Sequence, residues 1–163
     1  RRYIPPRSRA GHLRVLADAL ATAEPGGEPE LAGVFRDLVP KIHRRGLLIV
    51  ISDCFGQVNP LLSSLAHFRH AHHELIVFQV WDRAELDFPF ERWTQFESLE
   101  RSDHKRFVDP EQLRAAYLAE VQRFRDDLKR GCSRHRIDLV PLVTDRPYAE
   151  ALANYLTVRR RRT

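Results

Sequence analysis

The sequence of 163 residues contains no methionine, only two cysteines and only seven glycines. Because Arg1 stands where an initiator methionine would, we expect the chain to be a piece of a longer protein. Cys54 and Cys132 lie far apart and form no Cys-x-x-Cys pair, which predicts two buried free thiols in a reducing compartment. The glycines form neither GxGxxG nor GxxxxGK(S/T), and GxSxG is absent, so the sequence indicates no common catalytic motif.

Long apolar runs are also missing. The longest one, residues 47–51, is far shorter than the ~20 residues that cross a bilayer. No secretory signal opens the chain. With 43% hydrophobic and 30% charged residues, the composition is typical of one soluble domain. We therefore expect a single domain over 1–163, a cytoplasmic location and no membrane segment.

The net charge of +5 comes from the two ends of the chain. Four arginines precede residue 10 and four more occupy 159–162. Without these eight, the 27 Lys and Arg fall to 19, below the 22 Asp and Glu. A nucleic-acid-binding domain needs basic residues on a folded face. Residues 159–163 are thus interpreted as a solvated basic tail, and no nucleic-acid partner is expected.

Hydrophobic periodicity predicts alternating helices and strands. Three apolar strands are expected at 47–53, 75–80 and 137–143; the first is apolar on both faces, which indicates a central strand. Predicted helices cover 10–22, a segment from Leu31 to Ile42 with Gly46 as its stop, one starting at Asn59-Pro60, a long one after Asp109-Pro110, and a last one through Leu152. Residues 83–109 interrupt the pattern, with a predicted β-hairpin of 94–99 against 105–108. The fold class is therefore α/β, with a mostly parallel sheet, flanking helices and a hairpin insertion.

Each predicted strand ends in an acidic residue: Asp53, Asp82 or Asp145. Ligands of open parallel sheets bind outside the carboxyl ends of the strands, and carboxylates there can hold a hard cation such as Mg²⁺. The alternative is that these residues cap the following helix or turn, or pair with a neighbouring arginine. We expect capping at Asp145 and an ion pair at Asp82 with Arg83, which leaves Asp53 as the strongest candidate.

Histidines cluster at residues 67, 70, 72 and 73. His67 and His70 share a helix face and have the spacing of zinc ligands. No cysteine or acid accompanies them, so we interpret the cluster as a solvated helix end.

A family resemblance runs through nearly the whole chain. The matching stretches are Ile4-Pro5-Pro6-Arg7, Gly11-His12-Leu13, Arg44 through Asp53, His73 through Phe78, Asp82 through Leu86, Phe96 through Leu99, Val108-Asp109-Pro110, Leu113-Arg114 with Tyr117, and Thr144 through Pro147. In this order and spacing they resemble the C-terminal part of the bacterial family called domain of unknown function 58. That family carries a von Willebrand factor A-like domain and is typically encoded beside MoxR-type AAA ATPases.

The resemblance implies a Rossmann-like fold with a metal-ion-dependent adhesion site that takes Mg²⁺ or Mn²⁺ at the strand ends. Ser52 and Asp53 match the aspartate contributed by one strand of that site. The Asp-x-Ser-x-Ser motif is absent, which implies that the first strands lie outside this chain. The loop expected to supply a threonine has none, and Glu28 or Glu30 substitutes for it in this interpretation.

The resemblance also implies that the strand at 47–53 lies beside the missing first strand. An open apolar edge then remains, which is an aggregation hazard. Dimerisation through that edge, or covering by the N-terminal segment, would close it.

Three functions follow, and the one that the sequence favours most comes first. The first is a non-enzymatic interaction module that binds a MoxR-type ATPase or its client protein, with no catalytic residues. The second is a divalent-metal-dependent hydrolase that uses the strand-end acids. The third is nucleic-acid binding through the arginine ends.

Overall fold

The computed structural model describes residues 3–24, 31–42, 44–91, 94–97 and 105–160. Its elements in chain order are α1 (His12–Ala21), α2 (Leu31–Leu38), β1 (Leu47–Ser52), α3 (Val58–His70), β2 (Glu74–Trp81), α4 (Arg83–Asp87), β3 (Thr94–Glu97), β4 (Lys105–Val108), α5 (Pro110–Arg134), β5 (Asp138–Val143) and α6 (Tyr148–Arg160). The predicted alternation of helices and strands is confirmed over these ranges.

The main sheet has the strand order β1-β2-β5, and both pairings are parallel. Ile49 lies opposite Ile76, and Phe78 lies opposite Val140. The α/β class with a parallel sheet and flanking helices is thus confirmed. Because all three strands run in one direction, their carboxyl ends meet at one edge of the sheet.

Strands β3 and β4 form a separate antiparallel pair, with residue 94 opposite 108 and residue 97 opposite 105. The predicted hairpin extended to residue 99, which lies outside the described residues together with the whole connection 98–104. The interpretation of 83–109 as an insertion stays a prediction.

The core lies on the face of the sheet that α3 and α5 cover. Leu65 of α3, Val77 of β2 and Leu128 of α5 are each 0% exposed. The long helix α5 begins as predicted, because the Asp109 carboxylate accepts the Glu111 N–H at 3.1 Å and a proline occupies the first helical position.

The described residues pair only one side of the strand that was predicted as central at 47–53. Within the described residues β1 pairs with β2 alone and forms one edge of the sheet. Leu47, Ile49 and Ile51 are 46%, 53% and 70% exposed, while Val50 on the other face is buried. A run that is apolar on both faces predicts a strand but does not determine which strands pair with it.

The predicted helix from Leu31 to Ile42 also ends early. It stops at Leu38, and a single 3-10 turn over Val39–Lys41 follows. Pro40 has no backbone N–H with which to continue the helix. Gly46 is not a helix stop, because its carbonyl accepts the Glu74 N–H at the start of the sheet.

Helix α6 lies against the other face of the sheet, beside β5. Tyr155 donates a hydrogen bond to the Asp138 carboxylate at 2.9 Å, and its ring meets Phe78 edge-on at 6.0 Å. Arg159, the first residue of the predicted tail, belongs to α6 and contacts both Tyr155 and Glu74. Residues 161–163 lie outside the described residues.

Strand β5 is only partly buried, contrary to the prediction of a buried strand; among the described residues it pairs with β2 alone. Helix α1 forms within the predicted range and buries none of its residues. Over the described part of the chain, no helix combines the length and the apolar character that crossing a membrane requires.

Helices α3 and α5 approach closely at Gly131. A Cβ atom at this position would overlap the side chain of Leu62, which is 7% exposed. Overpacking a core costs about 1–3 kcal/mol, more than the ~1 kcal/mol that alanine gains over glycine inside a helix. We therefore expect Gly131→Ala to lower the free energy of unfolding measured by urea denaturation.

The double variant provides the control. If the overlap causes the loss, Leu62→Ala must cost less free energy in the Gly131→Ala background than in the wild-type chain. Strictly additive effects would show that the two positions do not collide.

Candidate functional site

The end of β1 carries the first of the three strand-end acids. Asp53 is exposed, and one of its oxygens, Oδ1, accepts the Ser52 hydroxyl at 3.3 Å and the Phe55 N–H at 3.1 Å. Oδ2 makes no hydrogen bond to the described residues. The Asp53 carboxylate is therefore held in place at the carboxyl end of β1, with one oxygen free of hydrogen bonds to the described residues.

Cys54 fixes the backbone of this loop. Its side chain is 1% exposed, its φ of 62° lies in the left-handed region, and its N–H donates to the Ser52 hydroxyl at 3.0 Å. A non-glycine residue is uncommon in that region and stays there only where its surroundings hold it. The buried thiol thus ties the loop that carries Asp53 to the core.

The second acid, Asp82, caps a helix. Its Oδ1 accepts the Ala84 N–H at 2.8 Å, while Glu85 accepts the Asp82 N–H at 2.8 Å. This reciprocal pair is a capping box that starts α4. The expected ion pair between Asp82 and Arg83 is not observed. The Asp82 carboxylate instead accepts the Ala84 N–H, and Arg83 donates to Asp145.

Arg83 instead holds the third acid. Its guanidinium contacts both carboxylate oxygens of Asp145, with Nε to Oδ2 at 2.7 Å and an outer nitrogen to Oδ1 at 3.2 Å. This hydrogen-bonded charge lowers the pKa of Asp145 below its ordinary value. The expected capping role of Asp145 is replaced by an ion pair between residues 62 positions apart in the chain.

Two hydrogen bonds link the carboxyl ends of the three strands. The Thr144 hydroxyl donates to Asp82 Oδ2 at 3.3 Å, which links the ends of β2 and β5. The buried Gln79 side chain donates to the Asp53 carbonyl at 3.4 Å, which links β2 to the end of β1. The sequence did not predict a role for Gln79. The available signal was its position as the one polar residue within the predicted apolar strand 75–80.

The described residues alone form a partial metal site at most. No group of three His, Cys, Asp or Glu side chains in this part of the chain is placed to hold an ion. Ser52 and Asp53 offer one hydroxyl and one carboxylate, whereas Mg²⁺ takes six oxygen ligands, several of them usually waters. Glu28 and Glu30 lie outside the described residues.

The histidine cluster divides between solvent and core. His67 and His70 are exposed at the end of α3, as expected for a solvated helix end, and line a shallow groove with His135. His73 is 3% exposed, its carbonyl accepts an Arg69 N–H at 2.7 Å, and its ring packs edge-on against Phe68. The sequence grouped residues that the fold separates.

Aromatic rings pack together near the carboxyl ends of β1 and β2. Phe55 packs edge-on against Trp81 and stacks on Phe124, each at a centroid distance of 5.5 Å. The Arg125 guanidinium lies over the Trp81 ring at 5.9 Å. Since Phe55 follows Asp53 by two residues, this cluster fixes the far side of the loop that carries the free carboxylate.

Comparisons with known proteins identify relatives but no activity. The sequence profile of the family described as "Protein of unknown function DUF58" matches residues 1–127. Uncharacterized proteins of Mycobacterium bovis and Mycobacterium tuberculosis are each 26% identical over 97% of this chain and 50% of their own length. One from Mycobacterium avium is 26% identical over 97% of this chain and 94% of its own. The chain thus spans about half the length of the first two relatives, and no solved structure matches it.

The two thiols are predicted to be inert in the folded protein. Burial, with a smaller effect of the Asp53 charge, raises the pKa of Cys54 to about 11, and burial raises the pKa of Cys132 to about 12. Both groups are free and 1% exposed. We expect Ellman's reagent at pH 8 to react with neither thiol in the native chain and with both in denaturant. Rapid reaction of the native chain would contradict the burial.

The pKa of Asp145 is predicted to depend mainly on Arg83. Replacing that guanidinium in Arg83→Ala should raise the pKa of Asp145 toward the ordinary aspartate value, measured by carboxyl-carbon NMR titration. Arg146→Ala is the matched control, because Arg146 acts through its charge without the two hydrogen bonds, and should raise that pKa less. Equal shifts would show that charge alone accounts for the effect.

Proposed function

Because the chain belongs to the DUF58 family of proteins of unknown function, we propose for it a biochemical role that this membership leaves open. It is a non-enzymatic protein-interaction module of the von Willebrand A type. Its partner is a MoxR-type AAA ATPase or a client of that ATPase, which it assists in assembly or maturation. The contact surface is the carboxyl edge of the sheet, centred on Asp53.

The free carboxylate oxygen of Asp53 carries this proposal. Asp82 is engaged by backbone and hydroxyl donors, and both oxygens of Asp145 are engaged by Arg83. Asp53 alone among the three strand-end acids is left with an oxygen that no described residue contacts. An exposed charge held by two hydrogen bonds is suited to meet a cation or a basic side chain of a partner.

The choice of partner rests on the sequence resemblance. The β1–α3–β2 unit with Ser52-Asp53 at its carboxyl end is compatible with a von Willebrand A-type arrangement. In that arrangement a divalent ion joins an acid of the module to a carboxylate of the partner. Mg²⁺ or Mn²⁺ is therefore the expected ion, with the remaining ligands supplied by water, by the partner or by residues outside the described ranges.

The hydrolase alternative is less well supported. It needs strand-end carboxylates that are free to bind metal and a base that activates water. Two of the three carboxylates already have structural partners, and the raised pKa values of both thiols disfavour a cysteine nucleophile at neutral pH. An interaction surface requires only the exposed group that the structure presents.

The test is a binding titration with the MoxR-type ATPase of the source organism, by calorimetry in Mg²⁺ and in EDTA. We expect Asp53→Asn to weaken binding about tenfold or more, which corresponds to ~1.4 kcal/mol. Asp18→Asn on α1 is the matched control, since it removes an exposed carboxylate from a different surface, and should leave the affinity unchanged.

An unchanged affinity in Asp53→Asn would refute the proposed contact surface. Loss of binding in Asp53→Asn without an effect of EDTA would support the surface and refute the bridging ion. Metal-dependent phosphatase or nuclease turnover that disappears in Asp53→Asn would favour the hydrolase instead.

A further inference from the structure

The outer groove between α3 and α5 is lined by hydrogen-bond donors. Polar and cationic side chains border it from both helices: Asn59, Ser63, His67 and His70 from α3, and Arg134 and His135 from the end of α5. This donor groove has a volume of about 360 Å³, and no acidic side chain of the described residues lines it. We propose that the donor groove binds a short acidic segment of a partner protein, at a surface that uses none of the strand-end acids.

The spacing of the α3 residues places their side chains in one line. Positions 59, 63, 67 and 70 are three or four residues apart, the spacing at which helical side chains share a face. Gly131 brings α5 close to this line, because its missing Cβ leaves room for the side chain of Leu62. The donor groove therefore has a floor of buried apolar atoms and two polar rims.

The arginine of the donor groove is available to a partner. Arg134 is exposed and makes no ion pair or hydrogen bond with the described residues. Toward the start of α3 the groove continues into a second cavity of about 550 Å³, which Arg134 also lines. Asp127 borders that second cavity, but Arg130 pairs with its carboxylate. An acidic segment would thus meet a positive charge that no carboxylate of the described residues has neutralised.

The histidines lie at the carboxyl-terminal ends of both helices. His67 and His70 belong to the last turn of α3, and His135 caps α5. Their imidazoles make no hydrogen bond with the described residues, and an imidazole N–H donates in both the neutral and the charged form. The unpaired carbonyls of a helix end favour positive charge. Both helices therefore favour positive charge at this end of the donor groove.

The length of the donor groove fits a short polypeptide segment. Helix α3 has 13 residues and is therefore ~20 Å long. An extended segment of about six residues spans this distance. The rims are exposed side chains around a shallow depression, whereas small-molecule sites enclose most of the ligand surface. The shape thus favours a polypeptide over a small molecule.

The positive charge is local, which favours an acidic peptide over a nucleic acid. Without the eight arginines near the two ends, the chain has 19 Lys and Arg against 22 Asp and Glu. A duplex spreads its phosphates over a wide area and needs a broad basic face. On α5 such a duplex would also meet the exposed Glu120 and Asp127. A segment of about six residues contacts the donor groove alone.

An NMR titration with hexaglutamate tests the proposal. In about 0.15 M salt, where charges act over ~8 Å, hexaglutamate should shift the amide signals of Ser63, His67, His70 and Arg134 in the ¹⁵N-labelled chain. Hexalysine should leave these signals unchanged. Asp53→Asn should bind hexaglutamate as the unmodified chain does, so this proposal and the proposed function can fail separately.

Charge variants locate the binding energy. Arg134→Glu should weaken hexaglutamate binding about tenfold or more, because it places a like charge in the donor groove. Arg123→Glu is the matched control, since it reverses an exposed charge on the same helix about 16 Å away, and should change the affinity less than about twofold. The double variant His67→Gln and His70→Gln keeps polar side chains but removes the imidazoles, and should weaken binding about threefold.

The absence of shifts at the donor groove, or equal losses in Arg134→Glu and Arg123→Glu, would overturn the proposal. A DNA duplex that binds more tightly than hexaglutamate and loses affinity in Arg134→Glu would also overturn it, by showing that the groove recognises phosphates. Circular dichroism of each variant should match that of the unmodified chain, because all the replaced residues are exposed.

Discussion

The pairing of β2 with a parallel neighbour on each side is the constraint from which the rest of the structure follows. Five of its eight residues are apolar and buried, and they lie on both faces of the sheet, so both faces must be covered. The two parallel connections place α3 and α5 together on one face, where the missing side chain of Gly131 permits their close contact. The same pairing brings Asp53, Asp82 and Asp145 to one edge, although 92 positions separate the first from the last.

Local signals in the sequence predicted local structure well. The start of α5 at Asp109-Pro110 and the start of α3 within one residue of Asn59 were correct because capping and proline signals act over a few residues. The capping box between Asp82 and Glu85 was a signal of the same kind. It was overlooked because the helix that it starts has only five residues, too few to show a period.

Long-range relations could not be predicted in the same way. Nothing near Arg83 in the sequence indicates that its partner is Asp145, and nothing in the run Leu47–Ser52 indicates that its partner among the described residues is β2. Both facts depend on the order of strands in the sheet. The sequence therefore predicted that the three acids meet at one end of the sheet, but not the partners of Asp82 and Asp145, and a functional role of Asp53 stays a prediction.

The left-handed backbone at Cys54 has a consequence for the kinetics of recognition. The Cys54 side chain belongs to the same buried cluster as Cys132. The Cys54 N–H donates to the Ser52 hydroxyl, and the Gln79 side chain donates to the Asp53 carbonyl. Rearrangement of the loop would withdraw the buried Cys54 side chain from the core, so we expect an open conformation to be rare. A partner of the kind proposed above would therefore meet a preformed surface. Its association should proceed at the rate of diffusional encounter and orientation, with no preceding conformational step.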